Sequence, residues 1–354
     1  MIFKALKLNL LICLYFFNLG LSQECPPLDT IQVDSFLGNW DFPSENIWTE
    51  VEVMTWNLKT FPIASNTVSY VSDIIADLLP DIIAFQEINN YQGFSDLESN
   101  FPAYNFIYSG SGLAIAVRSD VVQINSYNTL FAEEGYNFAW RYPFRAELNW
   151  ACGLSALSFE VINIHLKSGG TADDFERRYN ASSLILSYIE DNPNKKIIVL
   201  GDFNDEIDDI QSQNSLWPLV NSDIATFVTS PIAYINYYAS FPSWPSFIDH
   251  ILVSELLFDL VPYGSINTLL LDHLTGYDFY QSNISDHRPV IWSFPLEEIQ
   301  MAYGLVINEI MQNPSAVSDG LGEWIEMTNI SESPINIDGL VLKDSDSDYH
   351  LINS

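Results

Sequence analysis

The segment IIVLGDFND, from Ile197 to Asp205, places carboxylate and amide side chains directly after a run of aliphatic residues. Gly, Asp and Asn are common in turns, so a turn after a buried strand is one interpretation of the segment. A functional site is the other interpretation, because the side chains of Asp202 and Asn204 can face a metal ion and a phosphate. The ends of the other predicted strands distinguish between the two.

The same arrangement recurs in five further segments of the chain. The residues are Asn57 in WNLK, Glu87 in FQE, His165 in INIHLKS, Asp249 in FIDHIL, and Asp286 with His287 in ISDHRPV. Each residue taken alone has a structural explanation, such as a turn, a cap or a hydrogen bond to a backbone amide. Six such segments together favour one shared site, because α/β proteins build their sites where strands end.

The side-chain types of these residues restrict the chemistry of the predicted site. Carboxylates and amides without cysteine suit a hard divalent cation such as Mg²⁺ or Mn²⁺. Two histidines beside carboxylates suit general-base catalysis and the stabilisation of developing negative charge. The sequence has neither a serine nucleophile elbow nor a P-loop lysine. Metal-assisted attack of water on a phosphate ester is therefore the chemistry that fits best.

Short apolar runs alternate with amphipathic stretches from residue 51 to residue 294 and supply the elements that position these side chains. Strands are predicted at residues 51–57, 81–87, 112–118, 156–166, 195–204, 247–254 and 289–294. Helical spacing is found at residues 66–80, where a proline ends the helix, and at residues 173–192. Strands mixed with helices over this length predict an α/β protein with packed sheets.

The N-terminal segment MIFKALKLNLLICLYFFNLGLSQE has the pattern of a secretory signal peptide. Lys4 and Lys7 precede an apolar run, and Gly20 and Ser22 fit a cleavage site after residue 22. A membrane anchor is the alternative, but the run from Leu8 to Phe17 is short for a bilayer span. We therefore expect a secreted, extracellular or periplasmic protein with no integral membrane segment after cleavage.

Three cysteines are present, and one of them, Cys13, lies in the predicted signal peptide. Cys25 and Cys152 remain in the mature chain, where they form either one disulfide or two buried thiols.

Residues 23–48 are rich in Pro, Asp, Ser and Asn and are predicted to form a leader or linker. The α/β domain is expected over residues 49–297, and the texture becomes all-β over residues 303–354.

The ordered set WNLK, QE, HLKS, GDFND, ID and SDHRP resembles the endonuclease/exonuclease/phosphatase superfamily of metal-dependent phosphoesterases. The resemblance covers roughly residues 50–296 and keeps the order of the family's motifs. It implies a four-layered α/β sandwich, with two central β-sheets flanked by helices and the site at one edge of both sheets. It also implies a bound Mg²⁺, with Mn²⁺ or Ca²⁺ as alternatives.

The resemblance implies a role for each matching residue. Glu87 is the principal metal ligand, with Asn57 and Asp286 nearby. The catalytic residues are His287 as the general base, Asp249 orienting it, Asp202 and Asn204 positioning the phosphate, nucleophile or leaving group, and His165 bonding a phosphoryl oxygen. Arg141, in WRYPF, resembles a phosphate-contacting arginine of deoxyribonuclease-like members, and Lys167, in HLKSGG, is expected to bind the substrate phosphate beside it.

The substrate class is predicted from the few basic residues. The formal net charge is -33, with only 13 Lys and Arg, which repels polyanions at long range but is screened in salt. Seven of these cations lie in or beside the motifs: Lys59, Arg141, Arg145, Lys167, Arg177, Arg178 and Arg288. This placement favours an anionic substrate, although Arg177 and Arg178 could instead solvate a helix.

A nuclease acting on DNA or RNA is the function we favour from the sequence. HLKSGG followed by ERR resembles the exported bacterial nucleases of the superfamily. The aromatic run YINYYASFPSW could stack bases or pack in the core. The alternatives are a secreted phosphoesterase for lipids or small phosphates, and a non-catalytic adhesion protein.

The residues 303–354 resemble the start of a lamin-tail domain, an immunoglobulin-like β module. INEIMQNP and GEWIEMTNISESPINIDGLVL carry this resemblance. Such a module implies attachment to a cell surface or to extracellular material.

Overall fold

The computed structural model of the chain describes residues 40–42, 50–152, 155–296, 305–311, 324–330, 337, 341–343 and 349–351. The predicted signal peptide, residues 1–22, and Cys25 lie outside these residues. Cys152 is buried and disulfide-bonded. Within the described part of the chain, no helix is both long and apolar enough to cross a bilayer.

Two six-stranded mixed β-sheets form the centre of the α/β domain. The first sheet has the order β11-β12-β1-β2-β4-β3, built from β1 (Glu50–Phe61), β2 (Ile82–Ile88), β3 (Tyr104–Tyr108), β4 (Ala114–Arg118), β11 (Ser265–Thr268) and β12 (Val290–Pro295). The second sheet has the order β5-β6-β7-β8-β10-β9, built from β5 (Val122–Thr129), β6 (Phe144–Cys152), β7 (Ser155–His165), β8 (Ile197–Asp202), β9 (Ala225–Phe227) and β10 (Asp249–Ser254).

Helices cover the outer faces of the two sheets. They are α1 (Thr67–Leu78), α2 (Tyr91–Ser99), α3 (Ala172–Asp191), α4 (Trp217–Val220), α5 (Ser230–Ala233), α6 (Leu271–Thr275) and α7 (Tyr277–Asn283). Short 3₁₀ helices span Ala132–Glu134, Asn236–Tyr238 and Glu255–Tyr263. The helices predicted at residues 66–80 and 173–192 are confirmed as α1 and α3. The latter begins with a capping box between Thr171 and Asp174.

Three apolar clusters hold this α/β sandwich together. One lies between the sheets, where Val53 and Ile82 of the first sheet share a cluster with Val161 and Leu200 of the second. The other two combine a sheet face with its helices, as α1 does with β1 and β2, and α3 with β7 and β8. β2 and β8 are buried throughout, apart from the half-buried Glu87, as expected for central strands covered on both faces.

Gly201 allows the close approach of β7 and β8 just before Asp202. Its φ of 146° lies outside the range that side chains usually adopt, and a Cβ atom there would lie 2.0 Å from the Ile164 carbonyl oxygen. The glycine in the GD pair is therefore needed for strand packing, and the following carboxylate is held at a fixed place in the sheet.

The C-terminal residues contribute two separate strand pairs. β13 (Leu305–Met311) pairs with β14 (Trp324–Asn329), and β15 (Val341–Lys343) pairs with β16 (Tyr349–Leu351), both antiparallel. Strands of this kind agree with the all-β texture of the sequence, and the lamin-tail module itself stays a prediction.

Candidate active site

Three strands of the second sheet bring their predicted site residues into adjacent positions. His165 pairs with Asp202 across the parallel strands β7 and β8, and Asp249 pairs with Asp202 across the antiparallel strands β10 and β8. Asp249 therefore begins its strand, whereas the sequence interpretation placed it where a strand runs out. The same holds for Asp286 and His287, which precede β12. The edge is nevertheless shared, because an antiparallel strand starts where its neighbour ends.

A buried carboxylate–imidazole cluster of Asp202, Asp249 and His287 forms the centre of the site. His287 Nδ1 lies 2.8 Å from Asp249 Oδ2, and His287 Nε2 lies 3.9 Å from Asp202 Oδ2. Potential ligand atoms of the three residues all lie within 4.8 Å of one another. Asp249 orients the His287 ring through one nitrogen, and the other nitrogen is left to face Asp202.

Burial and neighbouring charge oppose each other at His287 and act together at Asp202, and the pKa of each residue rises. Burial is the largest single effect and disfavours the imidazolium of His287. The charge and hydrogen bond of Asp249, together with the charges of Asp202 and Asp286, outweigh it and raise the pKa of His287 to about 10. Burial and the negative charge of Asp249 raise the pKa of the Asp202 carboxyl. His287 is thus the positive member of a group that carries more than one carboxylate.

His165 is the neutral histidine of the site. Its Nε2 lies 3.3 Å from Asp202 Oδ2, and burial, together with the nearby positive charge of Arg141, lowers its pKa well below the ordinary value. Its Nδ1 is buried without a hydrogen-bond partner among the described residues. The bond to a phosphoryl oxygen that the sequence assigned to His165 stays a prediction.

The first sheet contributes Asn57 and Glu87 from its side of the site. Asn57 Nδ2 donates to Asp202 Oδ2 at 2.9 Å and lies 3.4 Å from Glu87 Oε1, so one amide connects the two sheets. The sequence interpretation ended β1 at Asn57, but the strand continues to Phe61 through an irregularity in register. Lys59 and Thr60 both have positive φ angles in this bulge, of 41° and 51°.

The bulge residues contact both carboxylates that were predicted to bind metal. The Thr60 N–H donates to Glu87 Oε2 at 2.7 Å, and its hydroxyl lies 3.2 Å from the same oxygen. Lys59 Nζ lies 3.1 Å from Asp286 Oδ2. Glu87 itself has a φ of 61°, a strained angle of the kind that concentrates at functional sites.

Asn204 and Arg141 line the second sheet's side of the site. Asn204, with a φ of 53°, donates from Nδ2 to the Leu166 carbonyl oxygen at 3.1 Å and from its backbone N–H to Asp202 Oδ1 at 2.9 Å. Arg141 donates from Nε to the His165 carbonyl oxygen at 2.9 Å and from Nη2 to that of Leu166. Both side chains therefore bind the backbone just after β7, beside the cluster.

Most of the other basic side chains serve the fold. Lys167 pairs with Asp174 at 2.8 Å, at the start of α3. The remaining contacts are Arg145 with Glu160, Arg177 with the Tyr136 ring, Arg178 with the carbonyl oxygens of Lys167 and Gly169, and Arg288 with both oxygens of Asp272. The inference that seven cations surround an anionic substrate is therefore wrong for Arg145, Arg178 and Arg288, which neutralise partners or brace loops.

Sequence reasoning missed the residues that hold the His287 backbone. The Tyr280 hydroxyl donates to the His287 carbonyl oxygen at 2.7 Å, and Trp56 Nε1 lies 3.3 Å from that oxygen. Ser285 Oγ accepts from the His287 N–H at 3.0 Å and donates to the Asn57 carbonyl oxygen. Ser285 lies in the motif ISDHRPV and Trp56 lies in WNLK. Their positions in these motifs were the sequence feature that could have identified them.

Gln86 and Asn163 join the two sheets behind the site. Gln86 Nε2 donates to Asn163 Oδ1 at 2.8 Å, and Asn163 Nδ2 donates to the Phe85 and Ala114 carbonyl oxygens at 2.9 Å each. Both side chains are fully buried. Buried polar pairs of this kind fix the register of the sheets, and hence the spacing between Glu87 and Asp202.

The donor set of the site fits a hard divalent cation. Carboxylate oxygens, one amide oxygen and imidazole nitrogens are available, and Asp249 Oδ1 is a buried oxygen with no hydrogen-bond partner among the described residues. Asp202, Asp249 and His287 offer ligand atoms close enough together to hold an ion, whereas the set expected from the sequence is Glu87, Asn57 and Asp286. The second set leaves the Asp249–His287 pair intact.

An aromatic loop borders the cluster. The Phe241 ring centroid lies 5.0 Å from that of His287, and Phe241 pairs with Ser246 to close a short loop. Trp244 at the tip of this loop is 77% exposed. Packing in the core, one of the two interpretations of this aromatic run, therefore does not apply to Trp244.

Comparisons with known proteins agree with this fold. A model of the Endonuclease/Exonuclease/phosphatase family matches residues 54–287, more than half of the chain. Humanized D. rerio TDP2 is similar at a TM-score of 0.52 and 14% identity, covering 70% of this chain and 99% of that one. The same values hold for D. rerio TDP2 complexed with single strand DNA product.

An endonuclease/exonuclease/phosphatase protein from Bacteroides vulgatus is similar at a TM-score of 0.52 and 19% identity, covering 70% of this chain and all of that one. No curated protein matches the chain. At these identities the solved structures show a shared fold.

Proposed function

Because this chain belongs to the endonuclease/exonuclease/phosphatase family, whose members are phosphoesterases and nucleases, we propose that it is a secreted, divalent-metal-dependent phosphodiesterase that hydrolyses DNA or RNA. The buried Asp249–His287 pair at 2.8 Å is the observation that carries this proposal. It orients an imidazole in a pocket of carboxylates, where attack of water on a phosphorus atom would need a proton acceptor.

His287 is the general base in this proposal. Its Nε2 takes a proton from the attacking water as the new O–P bond forms and the bond to the leaving oxygen breaks. Asp249 stabilises the imidazolium that results. Because Asp202 and Asp286 also raise the pKa of His287, positive charge beside those carboxylates lowers that pKa and favours the unprotonated nitrogen.

Glu87, with Asn57 and Asp286, would hold the divalent cation. Mg²⁺ fits this oxygen-rich set best, with Mn²⁺ and Ca²⁺ as alternatives. When bound, the ion would supply Lewis-acid stabilisation of the charge that develops on the phosphoryl oxygens. This set is preferred over the carboxylate–imidazole cluster because His287 Nδ1 is committed to Asp249, and an ion on Nε2 would occupy the nitrogen proposed as the base.

Five further side chains would position the phosphate, the nucleophile or the leaving group. His165, whose Nε2 lies 3.3 Å from Asp202 Oδ2, would bond a phosphoryl oxygen, and Asp202 and Asn204 would orient the phosphate, nucleophile or leaving group. Arg141 uses Nε and Nη2 to bind two backbone carbonyl oxygens, and its remaining N–H donors would bind the substrate phosphate. Lys167 would act only if substrate draws it away from Asp174.

Nucleic acid is the proposed substrate class. Trp244 and the exposed Tyr234 and Tyr237 lie in the segment that borders His287, where exposed rings can stack on bases. The same fold accommodates a single-stranded DNA product in D. rerio TDP2.

Secretion is supported by the N-terminal signal pattern of residues 1–22 and by the disulfide of Cys152, which requires an oxidising compartment. The lamin-tail-like residues 303–354 would attach the enzyme outside the cell.

A substrate comparison tests this proposal. The purified chain is incubated in Mg²⁺ with plasmid DNA, RNA, sphingomyelin vesicles and p-nitrophenyl phosphate at matched phosphorus concentration. We expect nucleic acid to be cleaved with the highest kcat/KM. Preferred hydrolysis of the lipid or the small ester would transfer the assignment to the alternative phosphoesterase, and hydrolysis of none would indicate a non-catalytic adhesion protein.

A further inference from the structure

The bulge in β1 supplies a hydrogen-bond donor to each of the three residues proposed to hold the cation. The Lys59 N–H donates to Asn57 Oδ1 at 2.9 Å, the Thr60 N–H donates to Glu87 Oε2 at 2.7 Å, and the Lys59 ammonium lies 3.1 Å from Asp286 Oδ2. Oxygen atoms that would face a metal are thus satisfied by the chain itself.

Lys59 is the charged member of this set. It is the only Lys or Arg within ion-pair distance of Asp286 among the described residues. Its side chain is 37% exposed and that of Asp286 is 19% exposed, so the ammonium has solvent to move into when the pair opens. The positive φ of Lys59, 41°, directs the chain away from a regular strand at this residue.

A divalent cation on Asp286 and an ammonium on the same carboxylate repel each other. At a few ångströms in a partly exposed site this repulsion is substantial, because the protein surface screens two like charges less than bulk water does. Metal binding at Asp286 must therefore break the Lys59–Asp286 pair.

We infer that Lys59 is an internal competitor of the divalent cation: it neutralises Asp286 in the metal-free enzyme, is displaced when the metal binds, and then binds a phosphoryl oxygen of the substrate. The inference rests on the proposed metal site. Lys59 thereby couples metal binding to substrate binding, because the ammonium becomes available to an anion only after the metal has taken its carboxylate.

The affinity for Mn²⁺ in the absence of substrate tests this inference. Mn²⁺ binding is measured by electron paramagnetic resonance and by calorimetry for the wild-type chain, Lys59→Met and Lys59→Arg. We expect Lys59→Met to bind Mn²⁺ about tenfold more tightly, because the competitor is removed, and Lys59→Arg to bind like the wild type. At saturating Mn²⁺, Lys59→Met should have a raised KM for plasmid DNA.

Lys195→Met is the matched control. Lys195 pairs with Glu160 at 2.7 Å at the start of β8, roughly 20 Å of strand from Asp202, so its charge is screened from the site. Lys195→Met should therefore leave the affinity for Mn²⁺ unchanged. Glu87→Gln tests where the ion binds, since the affinity for Mn²⁺ must fall in this variant if the ion occupies the proposed site.

The outcomes separate the inference from the proposed function. Equal or weaker Mn²⁺ binding by Lys59→Met, with weakening in Glu87→Gln, would overturn the role of Lys59 and leave the metal site standing. Absence of Mn²⁺ binding from both the wild type and Lys59→Met, or binding that is insensitive to Glu87→Gln, would overturn both.

Discussion

The three buried histidines of the α/β domain should titrate in sharply different ways in the metal-free protein. Burial opposes the charged form of His287, but Asp249, with smaller contributions from Asp202 and Asp286, outweighs burial and raises the pKa of His287 to about 10. Burial lowers the pKa of His250 to about 4 and that of His165 well below its ordinary value. Between pH 6 and 8, only His287 of the three should be an imidazolium.

The magnitude follows from the size of the rise in pKa. From an ordinary value near 6.5 to about 10, the charged form of His287 is favoured by roughly 5 kcal/mol, shared among Asp249, Asp202 and Asp286. Asp249 contributes most of this through charge and a direct hydrogen bond. We therefore expect Asp249→Asn to lower the pKa of His287 by about 2 pH units or more.

The pH dependence of stability has a definite sign. The folded-state pKa of His287 lies above the unfolded value, so its contribution is fully present below about pH 6.5 and is lost as pH rises through about 10. The difference in free energy of unfolding between the wild type and Asp249→Asn should be largest near pH 6.5 and should shrink as pH rises toward 10.

Side-chain nitrogen NMR of ¹⁵N-histidine protein in EDTA measures this directly, with His287→Gln identifying the resonance. Urea unfolding at several pH values supplies the stability difference. A His287 midpoint near 6.5 in the wild type, or the same midpoint in Asp249→Asn, would refute the reasoning that the ion pair holds the proton.

Three further predictions concern other parts of the domain. Trp244→Ala should raise the KM for single-stranded DNA about tenfold at an unchanged Tm, because one stacking surface is lost, and an unchanged KM would exclude Trp244 from substrate binding. Arg288→Met should lower the free energy of unfolding in urea by roughly 3 kcal/mol, since it leaves the buried Asp272 unpaired, and a loss below 1 kcal/mol would contradict the pair's importance. Gly201→Ala should reduce Tm and activity together, because its Cβ would meet the Ile164 carbonyl, and an unaffected variant would show that the strands can separate there.

The sequence predicted the elements that are buried and contiguous. The aliphatic runs that became β1, β2, β8 and β10 are recognisable because both faces of these strands are covered. The grouping of Asp202, Asp249 and His287 was expected from the family resemblance, although Asp249 begins its strand and His287 lies before its strand, so neither follows it. Motif order identified the family, which the family model confirms.

Features that depend on strand direction and on partner side chains were not predictable. The start of β10 lies at the site because the strand is antiparallel to β8, which no residue of FIDHIL indicates. The continuation of β1 through Lys59 and Thr60 depends on contacts with Asp286 and Glu87, which are distant in sequence. Arg288 lies beside His287 in the motif, yet it points to Asp272, because proximity in sequence does not fix the direction of a long side chain.

Cleavage of supercoiled plasmid by the purified chain in Mg²⁺ and in EDTA tests the central claim most directly, with His287→Ala beside His273→Ala. His273 is the matched control, because it is an exposed histidine on α6 and takes no part in the cluster. The account predicts nicking that requires Mg²⁺, is abolished in His287→Ala and is retained in His273→Ala. Nicking that survives in EDTA or in His287→Ala would contradict it.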